Sequence, residues 1–157
     1  MSFIQLFIWV LSLLLLEAMW DGNDFIYHKT AKQIYGYTSH IMQLLLFASI
    51  FMFGMKIGYL CGFGTGHFNY TALLYVLLGY ATLRVSIFNV VYNKFVGNPA
   101  MFIGTSNLYD RLLNLIIRLL QKCGLTDIRY FNMVYGNILV LSFFFACWFI
   151  NDAINNL

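Results

Sequence analysis

The chain has 157 residues, of which 61% are hydrophobic and only 10% are charged. Soluble domains carry about 25% charged residues, so this composition excludes an ordinary water-soluble domain and indicates a protein whose solvent is a lipid bilayer. The length suffices for about four membrane spans of roughly 20 residues with short connections, and it leaves no room for a separate soluble domain. We therefore expect a single membrane domain over residues 1–157.

Four apolar segments predict an all-α polytopic membrane protein with four transmembrane helices. They cover about residues 3–20, 40–61, 70–95 and 131–150. The first segment has neither a basic region before it nor a small-residue cleavage site after it, so we expect a retained span rather than a signal peptide. The third is expected to stop at Asn98-Pro99, because proline cannot continue a helix.

An amphipathic helix is predicted between the third and fourth spans, over about residues 105–123. Polar residues recur there at spacings of three and four against a leucine- and isoleucine-rich background, namely Asn107, Arg111, Asn114, Arg118 and Gln121. Gly124 suits a left-handed helix stop. The wide apolar face predicts a helix lying in the membrane interface, and the alternative is packing against the spans of this chain or of a second copy.

The basic residues predict the orientation in the membrane. Those of the two longer connections are Lys29, Lys32, Lys94, Arg111, Arg118, Lys122 and Arg129. Lysine and arginine accumulate on the cytoplasmic side of short loops, so both termini are expected outside. The membrane would be a bacterial inner membrane, an organelle inner membrane or a viral membrane. The expected partners are the lipid bilayer and further membrane subunits, including copies of the chain itself, and no nucleic acid.

Four ionisable residues near the end of the first span have the spacing of one helical face. Glu17, Asp21, Asp24 and His28 lie four, three and four residues apart. Carboxylates and imidazole are ligands for zinc, iron or manganese, so the stripe is a candidate divalent-metal site. Two alternatives stay open: the stripe is a solvated or ion-paired helix end, or the turn-like Asp21-Gly22-Asn23-Asp24 ends the helix and scatters it.

The predicted topology brings two more ionisable residues to the same side of the membrane. The candidate metal ligands are then Glu17, Asp21, Asp24, His28 and His40, and the candidate catalytic residues are Glu17, Asp21 and Asp110. A metal held there could activate water beside lipid headgroups.

Arg84 lies well inside the third span, where an unpaired charge costs at least about 2.5 to 3.5 kcal/mol. We predict Glu17 as its partner, followed by Asp21 or Asp110, and the alternative is a side chain that snorkels to the headgroups. A second polar stripe of the same span comprises Thr82, Ser86, Asn89 and Asn93. Such residues join helices by hydrogen bonds, and the alternative is that they line a conduction path.

The segment Arg84-Val85-Ser86-Ile87-Phe88-Asn89-Val90-Val91-Tyr92-Asn93, with Gly97 and the string Ile103-Gly104-Thr105-Ser106-Asn107-Leu108-Tyr109-Asp110, resembles uncharacterised small membrane proteins of bacteria and phages. The resemblance covers residues 84–110 and brings no established activity. It implies that Arg84, Asn93 and Asp110 belong to one constellation.

Three functions follow from these observations. We predict a non-catalytic membrane subunit that self-associates or joins a larger complex, because Gly54 and Gly58 form a small-xxx-small motif and polar residues suit helix association. The alternative is a metal-dependent hydrolase that acts on a lipid or a lipid-linked substrate through the acidic stripe. The third is a small channel or holin-like pore lined by the second polar stripe.

Overall fold

The computed structural model of the protein is all-helical in the residues that it describes, which are 1–64, 67–99, 102, 108–124 and 127–157, without the side chains of 108–110 and 128–130. The helices are α1 (Phe3–Thr30), α2 (Gln33–Leu60), α3 (Tyr70–Leu83), α4 (Asn89–Phe95), α5 (Leu108–Lys122) and α6 (Ile128–Asn156). A π-helical turn, Arg84–Phe88, joins α3 to α4 without a break. Within the described residues, four helical segments are long and apolar enough to cross a membrane, which confirms the predicted all-α fold with four spans: Phe3–Thr30, Gln33–Leu60, Tyr70–Phe95 and Phe131–Asn156.

Helices α1 and α2 are longer than the predicted spans. The first continues past Trp20 to Thr30, and the second begins at Gln33 rather than near His40. The pair Ala31-Lys32 alone separates them, with Ala31 in the left-handed region at φ 54°. Each helix has 28 residues and is about 42 Å long, more than the roughly 30 Å of a hydrocarbon core. The predicted long connection between spans one and two is therefore mostly helical.

Tertiary contacts explain why the turn-like string Asp21-Gly22-Asn23-Asp24 stays helical. Gly22 lies so close to α4 that a Cβ atom there would meet the ring of Phe95 at 2.5 Å. The buried Asn23 accepts a hydrogen bond through Oδ1 from the hydroxyl of Thr38 on α2, at 3.2 Å. Packing against two neighbouring helices thus outweighs the turn propensity of the string, as tertiary context commonly does.

The core lies where α1, α3 and α6 meet. It is built from small and branched apolar side chains, chiefly Leu6, Val10, Leu14, Val76, Leu83, Ala146 and Ile150. Helices α3 and α6 share an extensive interface and approach closely at Gly79, where a Cβ atom would lie 2.8 Å from Cγ1 of Ile150. Helix α2 is peripheral: in the described part of the chain, its extensive packing is against α1, and it is the least buried of the four spans.

The third span ends at a glycine rather than at the proline. Gly97 adopts φ 81°, and the backbone N–H of Asn98 donates to the carbonyl of Asn93 at 2.8 Å. This left-handed stop ends the helix before Pro99 is reached. Gly124 ends α5 in the same conformation, with φ 83°, which confirms the stop predicted there.

The amphipathic helix between spans three and four is present as α5. It begins at Leu108, and the predicted first turn at residues 105–107 lies outside the described residues. Its placement in the membrane interface stays a prediction.

Substitution by alanine should have opposite effects on stability at two glycines that both lie inside helices, Gly54 and Gly79. Alanine is favoured over glycine in a helix by about 1 kcal/mol. At Gly54 no atom lies within 4 Å of the added Cβ, so Gly54→Ala should preserve or raise stability. At Gly79 the methyl group meets Ile150, and overpacking costs about 1 to 3 kcal/mol, so Gly79→Ala should lower stability. Reversible unfolding of the monomer in detergent measures both, and equal effects would contradict the close approach of α3 and α6.

Candidate functional site

A charged cluster inside the membrane joins α1 to the π-helical turn. Glu17 lies fourteen residues after Phe3, the first residue of α1, and Arg84 lies fourteen residues after Tyr70, the first residue of α3. Both are therefore about 21 Å along helices that begin at the same end of an up-and-down bundle. The equal count places the two side chains at one level of the bundle, near the middle of two segments long and apolar enough to cross a membrane.

The two side chains form a bidentate ion pair. Nη2 of Arg84 lies 2.8 Å from Oε1 of Glu17, and Nε of Arg84 lies 3.2 and 3.3 Å from the two carboxylate oxygens. The hydroxyl of Tyr80 donates to Oε2 at 2.6 Å. The Glu17 side chain is only 19% exposed and that of Arg84 40%. The prediction that Glu17 is the partner of Arg84 is confirmed.

The guanidinium has a second neighbour in its own helix. Cζ of Arg84 lies 4.2 Å from the centre of the Phe88 ring, which is a cation–π contact. Tyr80, Arg84 and Phe88 are four residues apart, so they follow one another along one side of the span. Together they give the charge an anionic partner on one side and an aromatic surface on the other.

The sequence does not predict the π-helical turn. It begins at Arg84 and ends at Phe88, so it coincides with the residues of the cluster. Single π turns are rare and frequently occur at functional sites. No residue pattern predicts such a turn, and the one available signal is the intramembrane arginine at its start.

The lower part of the acidic stripe is solvated rather than assembled. Because α1 is continuous, the four residues do share one face, but Nε2 of His28 pairs only loosely with Oδ2 of Asp24, at 3.5 Å. The two side chains are 72% and 51% exposed. Asp21 is partly buried and interacts electrostatically with Glu17 and Arg84. The stripe thus divides into a partly buried ion pair at Glu17 and an exposed helix end at Asp24 and His28.

The described residues do not form a metal-binding cluster. Among the residues that the structure describes, no three side chains of His, Cys, Asp or Glu lie close enough to hold one. The carboxylate of Glu17 pairs with Arg84 and accepts a hydrogen bond from Tyr80, and His40 is exposed on α2. The side chain of Asp110 lies outside the described residues. The structure therefore gives no support to the predicted metal site.

The second polar stripe is largely satisfied within its own segment. The hydroxyls of Thr82 and Ser86 donate to carbonyls of their own helix, at 2.7 and 2.9 Å. The buried Asn93 donates through Nδ2 to the carbonyl of Phe102 at 2.7 Å, which ties the connection to the end of the span. Nδ2 of Asn89 is buried without a hydrogen-bond partner among the described residues. These contacts are local, and the predicted bonds to other spans are not among them.

No protein-family model, curated protein or solved structure matches the chain. The resemblance of residues 84–110 to small membrane proteins of bacteria and phages therefore stays a prediction. Of its implied constellation, Arg84 contacts Glu17 and Asn93 contacts the carbonyl of Phe102, and the side chain of Asp110 lies outside the described residues.

A double-mutant cycle measures the ion pair. Arg84→Leu should destabilise the protein because it leaves the Glu17 carboxylate unpaired in the membrane, and Glu17→Gln should partly rescue that loss. We expect a coupling energy on the order of 0.5 to 3 kcal/mol from unfolding in detergent or bicelles.

The pair of Asp24 and His28 is the matched control for that cycle, because it joins a carboxylate and an imidazole that are both exposed on the same helix. Its coupling should not exceed about 0.5 kcal/mol, as for other exposed pairs at this spacing. Additive effects of the Glu17 and Arg84 substitutions would contradict the pairing described above.

Proposed function

We propose that the protein is a non-catalytic membrane subunit that associates with a second copy of itself through the outer face of α2. The observation that carries this proposal is the exposure of α2. Most of its large apolar side chains face away from the bundle, and its extensive packing within the described part of the chain is against α1. A span attached to its own protein on one side offers the other side to lipid or to another helix.

The outer face of α2 has the shape of a helix-docking groove. Its floor is formed by Gly54 and Gly58, and the space above has a volume of about 560 Å³. The groove is lined by Ile50, Phe51, Gly54, Met55, Gly58, Tyr59 and Phe63. No atom of the chain lies within 4 Å of a Cβ placed on Gly54. Small residues four apart let two transmembrane backbones approach closely.

The same helix supplies the groove and the side chains that would fill it, which favours a second copy as the occupant. Phe51 and Met55 project beside the two glycines, and both are exposed. Under a two-fold axis, each copy would place its large side chains over the glycines of the other, as isologous interfaces require. A homodimer could therefore form without any other protein.

The state of the charged residues supports a non-catalytic role. Among the candidate catalytic residues, Glu17 has its carboxylate bound to Arg84 and Tyr80. The hydrolase alternative would require that carboxylate to be released. The pore alternative would require the stripe of span three to face water, whereas Ser86 and Asn93 are 7% and 3% exposed.

We also propose the orientation that the basic residues favour, with both termini outside and the α1–α2 connection and α5 on the cytoplasmic side. Lys29, Lys32 and Lys94 are all exposed at the end of the bundle where the α1–α2 connection lies. The opposite end of the spans holds Lys56 as its basic residue in the described part of the chain. This asymmetry is the usual signature of the cytoplasmic side.

Bulk added in the groove should separate the copies. We expect Gly54→Ile to shift the protein from dimer to monomer in nanodiscs or mild detergent, because the side chain keeps the second backbone away. The fold itself should persist, since the site is open space within one chain. Subunit counting by single-molecule photobleaching measures the change.

The matched control is Ala81→Ile, which adds similar bulk at an exposed position of α3, away from the groove on α2. That variant should remain dimeric. A wild-type protein that is monomeric at all protein-to-lipid ratios would contradict the proposal.

Cysteine labelling tests the orientation. An impermeant thiol reagent should reach the exposed Cys123 from the cytoplasmic side, and it should reach His67→Cys from the outside. Native Cys61 is a poor reporter, because it is buried and burial raises the pKa of its thiol. Ser2→Cys labelled only from the cytoplasm would overturn the proposed orientation.

A further inference from the structure

Helix α5 presents an exposed apolar stripe that the bundle does not cover. The stripe comprises Leu112, Leu115, Ile116 and Leu119, which are 52%, 53%, 38% and 53% exposed. Their spacings of three, one and three place them on one face of the helix. Four large side chains in such an arrangement form a contiguous surface that water solvates poorly.

The stripe is distinct from the face by which α5 packs. Leu113 is 3% exposed, and Ile117 and Leu120, four and seven residues later, are partly buried. At 3.6 residues per turn, this second face is rotated by about 115° from the centre of the exposed stripe. The sequence shows one wide apolar face, and the structure divides it into a packed part and an uncovered part. Packing within the chain therefore does not account for the exposed stripe.

Basic side chains border the exposed stripe on one side. Arg111, Arg118 and Lys122 are all exposed, and on a helical projection they fall within about 60° of Leu115. Long cationic side chains beside an apolar surface can keep their charges at headgroup level while their stems cover the acyl region. The end of the bundle that carries α5 also holds the basic residues of both longer connections, namely Lys29, Lys32, Lys94 and Arg129.

The connection to α6 tethers α5 near the expected membrane boundary. Five residues, 123–127, separate its last residue from the first residue of α6, and a connection of that length reaches at most about 20 Å. The apolar part of α6 begins at Phe131, so the tether starts near the boundary of the hydrocarbon core. Because α5 is only about 22 Å long, the leaflet lies within reach of its whole length.

We propose that α5 is a binding surface for anionic phospholipids of the adjoining leaflet. The stripe of Leu112, Leu115, Ile116 and Leu119 inserts among the upper acyl chains, and Arg111, Arg118 and Lys122 bind the headgroup phosphates. Charge complementarity selects anionic over zwitterionic lipids, since each lysine or arginine near an anionic surface adds about fivefold to the association. This surface is separate from the α2 groove, so it does not depend on the proposed self-association.

The test places an environment-sensitive fluorophore on each side of α5 in the full chain, reconstituted in nanodiscs. Leu119→Cys reports the stripe and Gln121→Cys the polar face, both in a background with Cys123→Ser and Cys147→Ser. In discs containing phosphatidylglycerol, the label at 119 should be quenched by shallow nitroxide-labelled lipid. The label at 121 should be quenched by aqueous iodide. Discs of phosphatidylcholine alone should give weaker lipid quenching at 119.

Charge neutralisation then separates the two parts of the proposal. The variant Arg111→Gln, Arg118→Gln, Lys122→Gln should lose the gain given by phosphatidylglycerol and keep the level seen in phosphatidylcholine. High salt should act in the same direction.

Three results would overturn the proposal. One is quenching of the label at 119 by iodide in phosphatidylglycerol discs. The second is lipid quenching at 119 that is independent of phosphatidylglycerol. The third is protection of the label that grows with the number of copies per disc, because that would identify a second chain as the occupant.

Discussion

The bidentate pair of Glu17 and Arg84 is the constraint on which the arrangement of the spans depends. A charge inside the hydrocarbon core costs at least about 2.5 kcal/mol, and Glu17 and Arg84 place charges of opposite sign at one level of the bundle. Neither helix can turn its charge toward lipid without that cost, so α1 and the third span must be neighbours. In water the same pair would contribute little to stability. In a bilayer, the same pair determines that α1 and the third span are neighbours, and it fixes their register.

The register set by the pair brings the remaining close contacts into place. One turn and a half below Glu17, Gly22 meets the ring of Phe95, and a bulkier residue there would push α4 away. On the other side of the third span, Gly79 meets Ile150 of α6. The span thus has a close neighbour on both sides. Helix α2 then packs on α1 and keeps its other surface open.

The sequence predicts the parts of this structure that follow from solvation. Apolar length identifies the four spans, and the cost of an intramembrane charge identifies Glu17 as the partner of Arg84. The sequence does not predict the parts of the structure that depend on tertiary contacts. Turn propensity places a helix break at residues 21–24, yet Asn23 and Gly22 hold the helix through contacts with α2 and α4. The π-helical turn is invisible for the same reason, since no local pattern encodes it.

Residues of the candidate site that share one helical face do not all contribute to one site. Glu17, Asp21, Asp24 and His28 do lie on one side of α1, but the edge of the packed bundle runs across that face. Above it, the carboxylate of Glu17 needs a counter-charge and finds one in Arg84. Below it, Asp24 and His28 are solvated and pair only loosely. Depth, which helical periodicity does not report, decides what each residue of the stripe can do.

The surfaces that remain open differ in chemistry, and this difference argues for different partners. The groove on α2 is lined by glycine, aromatic and aliphatic side chains, with no charged residue among its lining. The one lysine of that span, Lys56, lies beside Gln5 and Trp9 of α1 and away from the groove. Helix α5 instead pairs its apolar stripe with three exposed basic residues. An uncharged groove at the depth of the acyl chains suits a second helix, whereas an apolar stripe bordered by cations at the end of the bundle suits headgroups.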